Sequence, residues 1–258
     1  MSAAARTVWV TGAASGMGAA HARRFAALGD RVGCWDVHAD ALAAVVEEIR
    51  AGGGEAEAAV ADVSDPAGVG AGAARLREAL GPAAVVVVNA GIILTGEHIE
   101  ELELDAWRRV IDVNLTGAFL TSKAAIPQLR EARDGALILV SSVCGLTASA
   151  GFGAYNASKH GVIGLMRTLA NELGPHGVTV NAVCPGWVRT PMLGASIEDA
   201  NADSEDLSEF VDMTLIGRLT EPEEVTAAVV FLASPGARSI TGAVLPIDGG
   251  LMEKRAWP

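Results

Sequence analysis

Near its N-terminus the chain reads Thr11-Gly12-Ala13-Ala14-Ser15-Gly16-Met17-Gly18, directly after an apolar segment that predicts a strand from Thr7 to Thr11. The residues that follow have the periodicity of a helix, from Gly16 to Leu28. A glycine-rich turn between a strand and a helix presents backbone N–H groups at the helix N-terminus, where a pyrophosphate can bind. The turn therefore predicts a dinucleotide site, and its expected contacts are Gly12, Ser15, Gly16, Met17 and Gly18.

The second predicted strand, Arg31 to Asp36, ends on a carboxylate at the place where such a side chain accepts hydrogen bonds from the adenosine ribose. A 2′-phosphate would meet repulsion of about 4 kcal/mol per charge pair at about 4 Å and an effective dielectric near 20, roughly a thousandfold in affinity. Neither Ser15, Met17 nor Val37 supplies a compensating cation. The sequence thus predicts NAD rather than NADP, bound at Asp36 and Val37. The alternative interpretation is that Asp36 caps the next helix.

Short apolar segments rich in β-branched residues alternate with helical patterns along the chain. This alternation is typical of a parallel sheet covered by helices on both faces, so we predict a doubly wound α/β fold in a single domain over residues 1–258. The predicted strands are Thr7–Thr11, Arg31–Asp36, Ala56–Val60, Val85–Asn89, Ala136–Ser141, Val178–Val183 and Ala243–Ile247. The predicted helices are Gly16–Leu28, Ala39–Ala51, Pro66–Leu80, Asp105–Arg130, Tyr155–Leu173 and Pro222–Ala233.

Composition excludes several classes of protein. The first six residues lack the apolar run of a signal peptide, and no stretch reaches about 18 uninterrupted apolar residues, so we expect a cytoplasmic protein with no membrane partner. Cys34, Cys144 and Cys184 are widely spaced and odd in number, which favours reduced thiols over disulfides or a metal site. A formal net charge of −12 disfavours nucleic acid as a partner.

The only tyrosine of the chain, Tyr155, precedes Lys159 by four residues and follows Ser142 by thirteen. Positions i and i+4 of a helix project from the same face, so the phenol and the ammonium can flank one reacting group. A phenol has an ordinary pKa of about 10, and a cation within about 6 Å lowers it. The trio predicts a proton-transfer site, although the same spacing taken alone is more typical of a core aromatic beside a solvated lysine.

With these motifs, Asn89-Ala90-Gly91, Asn114 and Pro185-Gly186 in order, the chain resembles the short-chain dehydrogenase/reductase family over nearly its whole length. The resemblance implies a Rossmann-like sheet of seven strands, a nicotinamide cofactor and, usually, a homotetramer. It also implies that Tyr155 is the catalytic acid/base, that Ser142 hydrogen-bonds the substrate oxygen, and that Lys159 binds the nicotinamide ribose and lowers the Tyr155 pKa.

Further roles are implied by the same resemblance. Asn114 would hold a water that joins Lys159 to a proton relay. The remaining cofactor contacts would be Asp62 and Val63 at the adenine, Asn89, Ala90 and Gly91 in the cofactor bed, and Pro185, Gly186, Val188 and Thr190 at the nicotinamide amide. Judged alone, Ser142 could be a strand-end turn residue and Asn114 a mid-helix hydrogen bonder, and Asn89 is expected to tie neighbouring strands whatever the function.

The residues after the Asn-Ala-Gly motif read Ile92-Ile93-Leu94-Thr95, where the family's ketoacyl reductases carry an Arg-Asp pair and generally prefer NADP. Together with Asp36, this difference favours an NAD-dependent alcohol dehydrogenase acting on a hydrophobic secondary alcohol or cyclic ketone. The alternatives are a biosynthetic carbonyl or ketoacyl reductase and a non-catalytic dinucleotide-sensing protein.

A substrate pocket and a lid complete the predicted site. The segment from Met192 to Arg218 breaks the alternation of strands and helices after a strand end, which favours a mobile substrate lid over a plain surface excursion. The expected pocket residues, which could equally be packing between lid and core, are Leu94, Cys144, Leu146, Phe152, Trp187, Met192 and Leu193.

Overall fold

The fold was obtained as a computed structural model, which describes residues 5–94, 96, 98–132, 134–198 and 207–254, without the side chains of residues 195–198. The strands are β1 (Thr7–Thr11), β2 (Arg31–Asp36), β3 (Ala56–Val60), β4 (Ala83–Val88), β5 (Ala136–Val140), β6 (Thr179–Pro185) and β7 (Val244–Ile247). The α-helices are α1 (Gly16–Ala27), α2 (Ala39–Ala51), α3 (Pro66–Leu80), α4 (Leu104–Ile111), α5 (Gly117–Glu131), α6 (Gly153–Leu173), α7 (Pro191–Glu198), α8 (Ser208–Asp212) and α9 (Pro222–Leu232). Over these ranges, no helix combines the length and the apolarity needed to cross a membrane.

The seven strands form one parallel sheet in the order β3-β2-β1-β4-β5-β6-β7. The strand order reverses between β1 and β4, and in such sheets a crevice for ligands opens at that point, beyond the carboxyl ends of the strands. The prediction of a doubly wound parallel sheet with seven strands is confirmed. Its carboxyl edge carries the predicted site residues that follow β1, β2, β4, β5 and β6.

Both faces of the central part of the sheet are buried, which explains why β1, β4, β5 and β6 read as nearly continuous apolar runs. All five residues of β1 are buried. Alternate side chains point to opposite faces: Val8 and Val10 pack into one core with Phe25 of α1, and Trp9 packs into the other with Leu76 of α3. These two cores hold the strand ends in fixed positions.

The predicted helix from Asp105 to Arg130 is wrong in one respect, because α4 and α5 are joined by a π-helical turn, Asp112–Thr116. Within it, the Asn114 side chain accepts a hydrogen bond from the backbone N–H of Ile92 at 2.8 Å and donates to the Ile92 carbonyl at 2.9 Å. A π-turn accommodates one extra residue per turn and is frequent at functional sites. Here it accompanies the tie between Asn114 and the loop after β4.

The segment expected to be a lid contains α8 and most of α7, and its residues 199–206 lie outside the described residues. Phe210 of α8 packs edge-on against Trp187, with ring centroids 4.5 Å apart. Leu193 and Leu219 form a small buried cluster with these rings. The segment is therefore anchored to the end of β6 at this point, and its mobility stays a prediction.

Candidate active site

The glycine-rich turn lies between β1 and α1, at the carboxyl edge of the sheet. Gly12 and Gly16 have positive φ angles of 68° and 49°, which side-chain-bearing residues rarely adopt. A Cβ atom on Gly12 would lie 2.9 Å from Nδ2 of Asn89, and one on Gly18 would overlap the carbonyl oxygen of Gly12. Glycine therefore lets α1 begin close against the strand end and leaves the backbone of the turn accessible to a ligand.

The turn forms one end of a trench of about 670 Å³ that brings together most of the predicted cofactor contacts. Its lining includes Gly12, Ser15, Gly16, Met17, Asp36, Val37, Asp62, Val63, Asn89, Ala90, Gly91 and Thr190. Gly18 is buried beneath it, while Pro185, Gly186 and Val188 line an adjoining cavity. The helix N-terminus suits a pyrophosphate and the carboxylate of Asp36 suits ribose hydroxyls, so the residues present fit a dinucleotide.

The carboxylate of Asp36 is 10% exposed and held by three groups. It accepts hydrogen bonds from the backbone N–H groups of Ala14 and His38, each at 3.0 Å, and the His38 ring Nδ1 lies 3.0 Å from Oδ1. His38, not Asp36, is the N-cap residue of α2. Sequence reasoning missed His38, although its place two residues after Asp36 was a signal.

Asn89 ties the ends of β1 and β4 together. Its side-chain amide donates to the carbonyl of Thr11 at 3.0 Å, and the backbone N–H groups of Asn89 and Ala90 both donate to Oγ1 of Thr11, also at 3.0 Å. The expected structural role of Asn89 is thus present, and it fixes the floor of the trench.

Tyr155 and Lys159 lie one turn apart on α6, next to Ser142 at the end of β5, and all three side chains are buried. Nζ of Lys159 lies 5.5 Å from the centroid of the Tyr155 ring and donates to the carbonyl of Val140 at 3.1 Å. Ser142 and Tyr155 line the same cavity. The structure therefore brings the predicted proton-transfer trio together.

Burial controls the protonation of this pair. It raises the pKa of Tyr155 above its ordinary value, the Cys144 thiol adds to that effect, and the Ser142 hydroxyl opposes it. Burial also lowers the pKa of Lys159 to about 8. Desolvation disfavours the charged forms of both groups, and the expected lowering of the Tyr155 pKa by Lys159 stays a prediction. A phenolate at Tyr155 requires additional positive charge nearby.

The Ser142 hydroxyl oxygen accepts a hydrogen bond from the backbone N–H of Cys144 at 3.1 Å, which leaves its O–H to donate elsewhere. Asn114 donates to Oγ of Ser158 at 3.1 Å, and Ser158, which sequence reasoning missed, donates to the Tyr155 carbonyl at 2.8 Å. A Cβ on Gly91 would lie 3.2 Å from Oδ1 of Asn114 and 3.3 Å from Nζ of Lys159. Asn114 and Lys159 thus border the same glycine, while a relay between them stays a prediction.

A second cavity, of about 350 Å³, adjoins the trench and shares Met17, Thr190 and Met192 with it. Ser142 and Tyr155 line it, as do five of the expected pocket residues, namely Cys144, Phe152, Trp187, Met192 and Leu193. Leu94 and Leu146 do not line it, because Leu94 packs against the cluster of Val110, Ala154 and Tyr155 and Leu146 packs against the core that contains Trp9. Sequence reasoning missed Met213 and Met252, whose distant chain positions carried no local signal.

The chain is similar over nearly its whole length to proteins named as dehydrogenases or reductases. The family model described as "Enoyl-(Acyl carrier protein) reductase" matches residues 12–252. Cis-4-hydroxycyclohexanecarboxylate dehydrogenase of Sinomonas cyclohexanicum is 40% identical over 247 residues, which cover 96% of each chain. Cyclohexanol dehydrogenase of Acinetobacter sp. (strain SE19) is 36% identical over 245 residues, covering 95% of this chain and 94% of that one. The crystal structure of levodione reductase superimposes with a TM-score of 0.93 at 33% identity, covering 97% of this chain and 98% of that one.

Proposed function

We propose, because the chain belongs to the short-chain dehydrogenase/reductase family, that it interconverts a hydrophobic secondary alcohol and its ketone with NAD(H). Relatives named for cyclohexanol and for a hydroxycyclohexanecarboxylate support a ring alcohol as the substrate. The observation that carries the proposal is the buried Ser142–Tyr155 pair, which lines a cavity that opens into the dinucleotide trench.

The residues act on a single oxygen atom of the substrate. During alcohol oxidation Tyr155 accepts the hydroxyl proton, and in the opposite direction it returns that proton while Ser142 donates a hydrogen bond to the developing alkoxide. A bound oxidised nicotinamide supplies the hydride acceptor and a positive charge. The ammonium of Lys159 is a second positive charge near the phenol. Tyr155 therefore acts as a base only where the two positive charges offset the desolvation of its phenolate.

NAD is the proposed cofactor because the carboxylate of Asp36 ends β2 and lines the trench, and a carboxylate at this point of the fold suits ribose hydroxyls and would repel a 2′-phosphate. Two backbone N–H groups hold that carboxylate, so it cannot easily turn away from the ligand. His38 lies against the Asp36 carboxylate, and Arg108 and Arg109 also line the trench, so a His38→Gln variant tests the contribution of the imidazole.

A non-catalytic dinucleotide sensor would need the trench but not the second cavity with its proton donors. Asn114, Ser142, Tyr155 and Lys159 are all buried around that cavity or the adjoining glycine, which favours catalysis over sensing. A biosynthetic ketone reductase would use the same residues in the opposite direction. The direction of net turnover depends on the ratio of oxidised to reduced cofactor. Assays of alcohol oxidation and of ketone reduction compare the rates in the two directions.

The proposed function is tested with a panel of cyclic secondary alcohols, linear secondary alcohols and primary alcohols, each with NAD or NADP. Reduced cofactor is followed by its absorbance, and the matching ketones are assayed with NADH. We expect turnover of cyclic secondary alcohols with NAD. Tight NADH binding without oxidation of any alcohol or reduction of any ketone would favour the sensor and contradict the enzyme.

We also propose that residues 1–258 form one catalytic domain and that the protein works in the cytoplasm as a homotetramer or a homodimer. The three cysteines are free, which suits a reducing compartment. Phe119, Phe231 and Leu245 are exposed by 46%, 49% and 37%, and such side chains are suited to contacts between subunits. Light scattering coupled to size-exclusion chromatography tests the assembly, and a monomer would contradict it.

A further inference from the structure

The cavity beside Tyr155 is lined by two chemically different sets of side chains. Hydroxyl groups come from the chain after β5, where Ser142, Thr147 and Ser149 join Tyr155. Apolar groups come from α1, α7, the residue after α8 and the C-terminal 3-10 helix Leu251–Glu253. These elements contribute Met17, Met192, Leu193, Met213, Leu251 and Met252, and the rest of the apolar lining includes Ile93, Phe152, Trp187 and Val188.

Four of the six methionines of the chain line this single cavity. They come from separate elements that are distant in sequence, so the periodicity of one helix does not account for their meeting. Methionine side chains are flexible and polarizable, and they adapt to apolar ligands of different shape. Met192 and Met252 are 36% and 40% exposed, which places them at the rim, where a ligand can reorder them.

We infer that the substrate is a neutral ring whose body lies against the methionines and whose substituents carry no charge. This inference rests on the proposed function and specifies its substrate class. An ionised substituent held against methionine and leucine loses hydration, and no Arg, Lys or His among the described lining residues can pair with it, which is strongly unfavourable. The net charge of −12 also repels an anionic substrate during its approach.

Two ring alcohols of similar size distinguish the effect of a substituent's charge on turnover from the effect of its size. Cis-4-methylcyclohexanol carries a neutral substituent, and cis-4-hydroxycyclohexanecarboxylate carries an ionised one at the same ring position. We expect kcat/KM with saturating NAD to be at least about tenfold lower for the acid, since its carboxylate must be desolvated. A difference of less than tenfold overturns the inference while the proposed function stands. If the protein oxidises neither of these two alcohols nor any other alcohol, both the inference and the proposed function are wrong.

A charge placed at the rim tests the cause of the discrimination. Met252 is exposed enough to tolerate a polar replacement, and Met252→Gln provides a neutral control of similar length for Met252→Lys. The ratio of kcat/KM for the acid to that for the methyl compound should be about tenfold higher in the lysine variant than in the glutamine variant, because an ammonium can pair with the carboxylate. Equal ratios in the two variants would show that charge does not decide the selection.

Discussion

Replacing Asp36 by Asn should remove most of the preference for NAD over NADP. The substitution keeps the size of the side chain and an oxygen that can accept from Ala14 or His38, but it removes the negative charge. At about 4 Å and an effective dielectric near 20, one charge pair contributes about 4 kcal/mol. Asp36 is 10% exposed and a bound phosphate reaches solvent, so we expect solvent screening to reduce this repulsion energy to about half. The ratio of the two affinities should change by about thirtyfold.

The assay measures binding directly, because cofactor choice can then be tested without knowing the substrate. Dissociation constants of NADH and NADPH are obtained by fluorescence titration of the wild type, Asp36→Asn and a control, Asp40→Asn. The control changes the net charge equally, but Asp40 lies in the exposed first turn of α2. An unchanged ratio in Asp36→Asn, or a wild type that already prefers NADPH, would refute the electrostatic argument.

Three other predictions concern the turn, a buried histidine and the phenol. Gly18→Ala should abolish NADH binding because its Cβ would overlap the Gly12 carbonyl oxygen, and retained affinity in the folded variant, measured by equilibrium dialysis, would contradict the described turn. Burial lowers the pKa of His21 to about 4, so the unfolded state takes up the proton first as pH falls below about 6.5. The free energy of unfolding should therefore lose about 3 kcal/mol through this group by pH 4, and urea unfolding of His21→Gln should show a weaker dependence on pH; equal dependence would exclude the effect. Because burial raises the pKa of Tyr155 and oxidation needs the phenolate, single-turnover alcohol oxidation should increase into the alkaline range, and a flat rate with chemistry limiting would argue against that base.

The fold could be predicted because each of its decisive features is local. Strand β1 is buried on both faces and reads as an apolar run, and the glycines after it fit a turn that only small residues allow. Asp36 ends β2, so its position at the carboxyl edge follows from the parallel sheet alone. The spacing of Tyr155 and Lys159 predicts a common helix face, and the structure places both side chains together in α6.

The features that sequence reasoning missed depend on contacts between distant residues. The π-turn at Asn114 accompanies hydrogen bonds to Ile92, across 22 positions of the chain. Met213 and Met252 join the predicted Met17 and Met192 in the cavity from distant positions of the chain, so no local pattern marks them. The pKa of Tyr155 depends on how completely the pocket excludes water, and spacing predicts a neighbouring cation but not the desolvation that opposes it.

The central claim is that the Tyr155 hydroxyl exchanges a proton with the substrate oxygen, and Tyr155→Phe tests it by removing that hydroxyl alone. NADH affinity is measured by fluorescence, and hydride transfer from a cyclic alcohol to NAD is measured in a single turnover of the same preparation. We predict nearly unchanged NADH affinity with hydride transfer slower by about a hundredfold to ten-thousandfold. Hydride transfer at the wild-type rate in the folded variant would contradict the proposed mechanism.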